Sequence, residues 1–417
     1  MTSPDAGTSA PPTKTRQSRQ AGIWFALVVI FLDVMGLGLI IPVLPELVRR
    51  LVANETQTAL WFGVMTSVFA LMTFLFAPTF GALADRFGRR PVILVCLTGY
   101  GLSYLLLAWA PTIGWLLAGR VISGIMGATP ATINAYIADV STDRDRARNF
   151  GMIGAAFGLG FIIAPAVGGL LGSIDLHLPF YAAAGLSLLA AVYGLLVMPE
   201  SLPVDKRRPF QLREGNPIGG LAVLRRWPLL AGVAIAFAFY QLGQMGLNTL
   251  WVLYTSHRYG WGELANGLSL ALVGLGTAVV QTSITPRLIA LWGERKAITV
   301  GITVSCISMV LYGLAWKGWM FAAVVVIGAL AGIAFTAVQT FIAAHAPSGH
   351  QGAVQGAMSS LISLAAIIGP LMWAGLFGWA TSDAAPISVP GLPMFLGAVI
   401  IFGALMALRR LFARYPG

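Results

Sequence analysis

Long apolar runs alternate with short polar segments along almost the whole chain. A helix of about 20 apolar residues crosses the ~30 Å hydrocarbon layer of a bilayer. Runs of that length fall at 22–47, 57–80, 91–110, 112–138, 147–172, 178–198, 228–255, 261–291, 296–316, 318–344, 350–381 and 389–412. They predict twelve membrane-spanning helices, numbered here as spans 1 to 12. Barrel strands do not fit, because these runs are too long and do not alternate in polarity. Residues 1–20 are polar and rich in Thr, Ser and Pro, which predicts a disordered tail. No cleavage pattern follows the first run, so no signal peptide is expected.

Composition fits lipid as the main solvent. Of 417 residues, 57% are hydrophobic and 10% charged, against roughly 25% charged in soluble domains. The mean hydropathy is +0.81. The net charge of +11 could suggest nucleic acid, but the charges form small clusters between apolar runs, so no nucleic-acid partner is expected. Twenty-one of the 26 Lys and Arg fall in the tail, in alternate loops and at the C-terminal end. The other loops hold Arg49, Arg50, Arg258 and Lys317, and Arg120 lies inside span 4. The positive-inside rule then puts both termini in the cytoplasm.

The chain also matches itself at an offset of 205. Gly127 and Ala135-Tyr-Ile-Ala138 align with Gly332 and Thr340-Phe-Ile-Ala343. Phe161-Ile-Ile-Ala-Pro165 aligns with Ala366-Ile-Ile-Gly-Pro370, and Gly88 and Arg90 align with Gly293 and Arg295. Six helices duplicated in parallel are a transporter architecture. The expected organisation is a tail (1–20), an N-terminal six-helix half (21–200), a basic cytoplasmic linker (201–227), a C-terminal half (228–412) and a short cytoplasmic tail (413–417). The fold class is all-α, with two pseudo-symmetric six-helix halves.

Asp33 is the acid placed well inside a span, within Ile30-Phe-Leu-Asp-Val-Met-Gly-Leu-Gly38. Inserting a carboxylate at that depth costs about 2.5–3.5 kcal/mol, so it is a candidate for proton or substrate-cation binding. Arg120, the mid-span cation, is its expected partner. Gly81-Ala-Leu-Ala-Asp-Arg-Phe-Gly-Arg-Arg90 is read as a cytoplasmic loop between spans 2 and 3. There Gly81 would allow close helix approach, Asp85 would cap a helix end, and Arg86, Arg89 and Arg90 would anchor at headgroups. Span 5 carries Gly151, Gly158, Gly160, Pro165, Gly168 and Gly169, small residues that permit tight helix packing and a proline that bends the helix. Span 7 places Gln241, Gln244, Asn248 and Trp251 on one helical face, and Tyr240 adjoins them. With Asn134 and Gln339, a repeat-related pair, they are the expected lining of a substrate cavity. Packing alone would also explain the polar residues of spans 4 and 10.

No Walker A pattern occurs, the four histidines lack metal spacing, and Cys96 and Cys306 are isolated. Neither an enzyme, a cofactor nor a disulfide framework is expected.

The run from Gly81 to Pro91 resembles the loop signature of the major facilitator superfamily. Leu116–Gly127 around Arg120 resembles the span-4 motif of its proton-coupled members, and Gly151–Gly169 the antiporter motif of span 5. Leu32-Asp-Val-Met-Gly-Leu-Gly-Leu-Ile-Ile-Pro-Val-Leu-Pro45 is similar to the span-1 motif of twelve-span drug:proton antiporters, particularly the tetracycline-efflux branch. The similarity continues through Ala135–Asp139, Gly260-Trp261 and Trp292–Arg295 to Gly369-Pro370. It implies a bacterial inner-membrane exporter that exchanges inward protons for a lipophilic substrate. Arg120 would belong to proton coupling. The loop motif with Gly88 and Asp85 would stabilise the outward-open state by bridging the halves, and the span-5 motif with Pro165 would go with export. The sequence departs from the branch at Ser103 and Ser305, where acids are usual, at Thr277 for a histidine, at Ser256 for an acid, and at Ala164 for a glycine. The resulting expectation is a monomeric, proton-driven antiporter of lipophilic cationic or zwitterionic drugs, with a substrate site between spans 1, 4, 7 and 10. A proton-coupled importer of sugars or metabolites is the alternative.

Overall fold

The computed structural model describes residues 16–142, 144–208, 224, 226–347 and 350–415, with backbone alone for 16–21 and 147. Most of the expected tail and of the linker lies outside the described residues. Twelve helices are long and apolar enough to cross a membrane: Gly22–Ile40, Glu55–Phe87, Arg89–Ala108, Ile113–Val140, Arg148–Ile174, Leu178–Val197, Pro228–Tyr259, Glu263–Trp292, Glu294–Leu314, Gly318–His345, Gln351–Ala380 and Leu392–Arg414. They answer one for one to the twelve expected spans. Among the described residues there is no strand.

The differences lie at helix ends. The first helix begins at Arg16, inside the expected tail, and stops at Ile40. Pro42 and Pro45 interrupt the ladder there, and a short separate helix, Leu44–Leu51, follows where one span to residue 47 was expected. Span 2 starts at a cap in which the Asn54 side chain accepts from Gln57 N at 2.9 Å. It runs on to Phe87, so Gly81 to Arg86 lie in its last turns and not in a loop. Nothing stops that helix until Gly88, whose φ of 108° suits glycine. Asp85 is therefore no helix N-cap.

Most exposed tryptophans among the described residues lie at one end of the bundle, and Trp24 and Trp292, 65% and 38% exposed, lie at the other. Trp109, Trp115, Trp316 and Trp319, at the ends of spans 3, 4, 9 and 10 away from the chain termini, are 49–70% exposed. Amphipathic aromatic rings suit a bilayer interface. This end is called the far face below. The opposite end, which carries both ends of the described chain and the arginine-rich turns, is called the basic face.

The repeat is visible in the backbone. Gly88 and Gly293 both adopt positive φ, 108° and 73°, between spans 2 and 3 and between spans 8 and 9. Just beyond them, Arg90 Nη2 donates to Leu195 O at the end of span 6, and Arg295 Nη1 donates to Tyr415 O beyond span 12, each at 2.6 Å. Cations satisfying the last carbonyls of a helix cap it electrostatically. Spans 4 and 10 are broken at matching places, near Gly127 and at Ala329–Ala331. A side chain from two spans earlier covers each break. Thr73 Oγ1 of span 2 donates to Gly124 O at 3.1 Å. Gln281 Nε2 of span 8 donates to Gly332 O at 3.5 Å and accepts from Thr336 Oγ1. Gln281 itself lies in a π-helical segment, Val280–Ile284.

Two seams join the halves. Span 5 packs on span 8, and span 2 on span 11. Small residues allow backbone contact at both. A Cβ at Gly267 would lie 2.3 Å from Pro165 O, and one at Gly169 would lie 2.4 Å from Glu263 O. At the other seam, a Cβ at Gly63 would lie 2.8 Å from Pro370 O, and Thr56 Oγ1 donates to Gly378 O at 3.1 Å. The prolines 165 and 370 are repeat mates. All these contacts lie toward the far face. Toward the basic face, a Cβ at Gly81, Gly151, Gly154, Gly158, Gly352 or Gly356 would meet nothing within 4 Å. The close backbone contacts between the halves thus gather toward the far face, and these basic-face glycines border open space.

Candidate functional site

The N-terminal half holds the buried charge. Asp33 lies at mid-helix in span 1 and is half-buried. Arg120 is 6% exposed, with its guanidinium 4.6 Å from the centre of the Phe69 ring. Its Nε has no hydrogen-bond partner. Asp33 and Arg120 do not form the expected ion pair, although both are described. Instead, both lie within electrostatic reach of Tyr100 and Tyr104 on span 3. These two rings stack at 5.8 Å with an interplanar angle of 18°. Helix azimuth explains the difference, since residue depth fixes height in the bilayer and not the direction in which a side chain points.

Span 1 is pinned around Asp33 by small residues. A Cβ at Gly36 would lie 3.3 Å from the Tyr104 ring, and one at Gly38 would lie 2.5 Å from the Ala164 Cβ. From span 5, a Cβ at Gly160 would lie 3.0 Å from Val34, and one at Gly168 would lie 2.1 Å from Leu39 O. Gly160, Gly168, Gly169 and Pro165 therefore sit at close helix contacts, whereas Gly151 and Gly81 do not in this arrangement.

The arginines of the loop motif turn inward to protein rather than only outward to headgroups. Arg89 pairs with Asp85 at 2.6 Å and with Asp139 at 3.3 Å. Glu200 accepts from the backbone N–H of Arg89 at 2.9 Å and of Arg90 at 3.2 Å, a carboxylate at the start of span 3. A Cβ at Gly88 would lie 2.3 Å from Glu200 Oε2. Arg86 is exposed, with its guanidinium 5.1 Å from the Phe87 ring. Arg208 N donates to Asp85 O at 3.1 Å. Each of these partners belongs to the N-terminal half or to the start of the linker; none comes from the C-terminal half.

The C-terminal half holds a cavity of about 430 Å³, within the range of small-molecule sites. Tyr240, Gln241, Gln244, Asn248 and Trp251 all line it, as the helical periodicity of span 7 predicts. Spans 8, 9 and 10 supply the rest, and the N-terminal half contributes Ile41 and Phe161. Asn134 and Gln339 are not in the lining: Asn134 is exposed elsewhere on span 4, and Gln339 is half-buried beyond the break in span 10. The cavity therefore belongs to spans 7 to 10 with two residues from spans 1 and 5, rather than to spans 1, 4, 7 and 10 equally.

Two lining residues were missed as site residues. Ser305 and Ser308 of span 9 are 1% and 3% exposed. The Ser308 hydroxyl has no partner. Their spacing of three residues was the available signal, and it is hidden because serine is common in membrane helices. Trp251 is held rigidly. Its Nε1 donates to Ser269 Oγ at 2.9 Å, Ser269 donates to Asn266 O at 2.8 Å, and Phe321 meets its ring edge-on at 4.9 Å.

No group of three or more metal-ligating side chains occurs among the described residues.

Comparison with known proteins agrees with this architecture. The profile of the Major Facilitator Superfamily matches residues 26–370. A tetracycline resistance protein of class C from Escherichia coli is 39% identical over 92% of this chain and 96% of its own. One of class G from Vibrio anguillarum is 38% identical over 93% and 97%. Among solved structures, the human organic anion transporter MFSD10 superposes with a TM-score of 0.70 at 24% identity, covering 96% of this chain and all of its own. A bacterial homologue of the human lysosomal transporter Spinster, inward-facing and occupied, gives 0.76 at 17% identity, covering 96% and 98%. With its twelve helices, its doubled halves and these relatives, the chain belongs to the major facilitator superfamily, in its tetracycline-efflux-like branch.

Proposed function

We propose that the chain is a proton-coupled exporter of small lipophilic drugs, tetracycline-like compounds among them, in a bacterial cytoplasmic membrane. The observation that carries this reading is Asp33, a carboxylate at mid-span with no cationic partner among the described residues, close to the same tyrosines as the buried Arg120. A carboxylate so placed is costly when charged and can hold a proton while Arg120 stays away from it. The tetracycline resistance relatives support drug export. If the basic face is cytoplasmic, the parted ends of spans 2, 5 and 11 open the cavity to the cytosol. The Gly/Pro seams then form the closed outer gate.

In the cycle this suggests, cargo enters from the cytoplasm or inner leaflet and settles in the cavity of spans 7 to 10. The seams open at the far face and close at the basic face, where the Asp85–Arg89 cluster meets the other half. A proton taken up by Asp33 from outside favours return. Each ligand must bind the two facings unequally for this to pump.

Asp33→Asn tests the reading. Uptake of tetracycline into everted vesicles driven by a pH gradient should fall at least about tenfold, while exchange of labelled for unlabelled tetracycline without a gradient persists. Unchanged gradient-driven uptake would reject the role of Asp33. Accumulation only in right-side-out vesicles would favour the importer.

A further inference from the structure

Phe161 of span 5 lines the cavity from the N-terminal half. Phe157, one turn nearer the basic face, stacks on it with ring centres 6.5 Å apart and an interplanar angle of 5°. Phe150, two turns further toward that face, continues the row. At 3.6 residues per turn the three positions fall within about 40° around the helix. Eleven residues separate Phe150 from Phe161, a rise of about 16 Å. That is roughly half of the ~30 Å hydrocarbon layer. The row therefore runs from near the basic face up to the cavity.

Its side of the helix is the inner one. Span 5 meets span 1 at Gly160 and span 8 at Ile162 and Gly169, and the row lies on the side between these contacts. The exposed Leu159, Ile163 and Leu170 mark the opposite side, which suits lipid. Phe157 is nonetheless 45% exposed and Phe150 37%. On the same side as the rings, a Cβ at Gly154 would meet nothing within 4 Å, so the Phe157 ring has a recess beside it. Helix packing in this architecture does not call for the row. Span 11 is the repeat mate of span 5, and in the same register it carries Gln355, Ile362 and Ala366. An aromatic ring left half open at the mouth of a cavity keeps apolar surface that a ligand can cover.

We infer that Phe150, Phe157 and Phe161 form an entry ladder for cargo. Its centre is a second binding subsite, made by the Phe157 ring and the recess at Gly154, which takes one flat, lipophilic ring system and passes it along Phe161 into the cavity. The inference rests on the reading of the chain as a drug exporter with its basic face in the cytoplasm. The subsite does not sort cargo by charge, because aromatic faces attract flat neutral rings and cations alike. It acts on capture and not on the turning of the halves. Its loss should therefore raise KM and leave kcat near its normal value.

The test uses the full chain in everted vesicles of matched protein content, with a pH gradient and tetracycline as the probe. Phe157→Ala should raise the KM of uptake about 2- to 12-fold, the range of a lost ring stack, with kcat near normal. Phe157→Leu, apolar but without a flat face, should share the defect. Phe157→Tyr, which keeps the ring, should restore KM. A second measurement uses the chain with Cys96 and Cys306 replaced. Phe157→Cys in that chain should react with a membrane-impermeant maleimide added to everted vesicles, and excess tetracycline should slow the reaction. A normal KM in Phe157→Leu, or a thiol that does not react or that tetracycline does not protect, overturns the ladder and leaves the exporter standing. If vesicles of the unaltered chain take up no tetracycline in response to the pH gradient, the exporter reading falls, and the ladder with it.

Discussion

The surroundings of Arg120 suit one residue type. Its guanidinium rests on Phe69, and it is buried with an unpartnered Nε. A planar, delocalised cation can stack in this way, and a lysine ammonium cannot reproduce both the fork and the stack. Arg120→Lys should therefore lower proton-driven efflux by about tenfold or more while the protein still reaches the membrane. Drug uptake by vesicles of matched protein content measures this, and near-normal rates would reject it. Asp33 and Arg120 were legible in the sequence because a charge among apolar neighbours stands out. Their separation was not, because the turn of each helix about its axis is set by packing against Gly36, Gly38 and Gly160. Span 7 was easier to read: the spacing of Gln241, Gln244, Asn248 and Trp251 already defines a face. Ser305 and Ser308 lack that clarity, since membrane helices also use serine for packing.

At the scale of elements, the seams depend on the absence of side chains. Spans 5 and 8 touch backbone to backbone at Gly169 and Gly267, and a Cβ at Gly267 would lie 2.3 Å from Pro165 O. Gly267→Val should cost the closed far face about 1–3 kcal/mol, a shift of about 5- to 150-fold toward opening. A cysteine introduced at Thr56, which holds the other seam through Gly378 O, should then react faster with a membrane-impermeant maleimide added from that side. An unchanged rate would show that the glycine contact does not hold the gate. Helix existence was plain from the apolar runs. Breaks in spans 4 and 10 were hidden, because glycines are frequent in membrane helices, Pro130 just after the first break is also common at a plain helix start, and no proline marks the second. The same blindness placed Gly81 to Arg86 in a loop, although helix continues until the positive φ of Gly88.

For the whole molecule, sidedness follows from the unequal spread of arginine and lysine. The basic face should be cytoplasmic. With Cys96 and Cys306 replaced, Ser382→Cys in the turn after span 11 should be labelled by an impermeant maleimide in intact cells. Thr142→Cys after span 4 should be labelled only once the membrane is opened. The reverse pattern would invert the transporter and make the open face external. The duplicated plan was visible at the offset of 205, and the matched turns at Gly88 and Gly293 show it again in three dimensions.

The mid-span charges sit in one half and the polar cavity in the other, so on the proposed reading ion and passenger have separate berths. Neither has to be evicted for its counterpart to board, and a carrier holding both at once is sterically permitted. Strict exchange then depends on which loaded forms are able to turn over, rather than on rivalry for a single seat. A compound wedged in the passenger's berth would stall the carrier without resembling a proton donor.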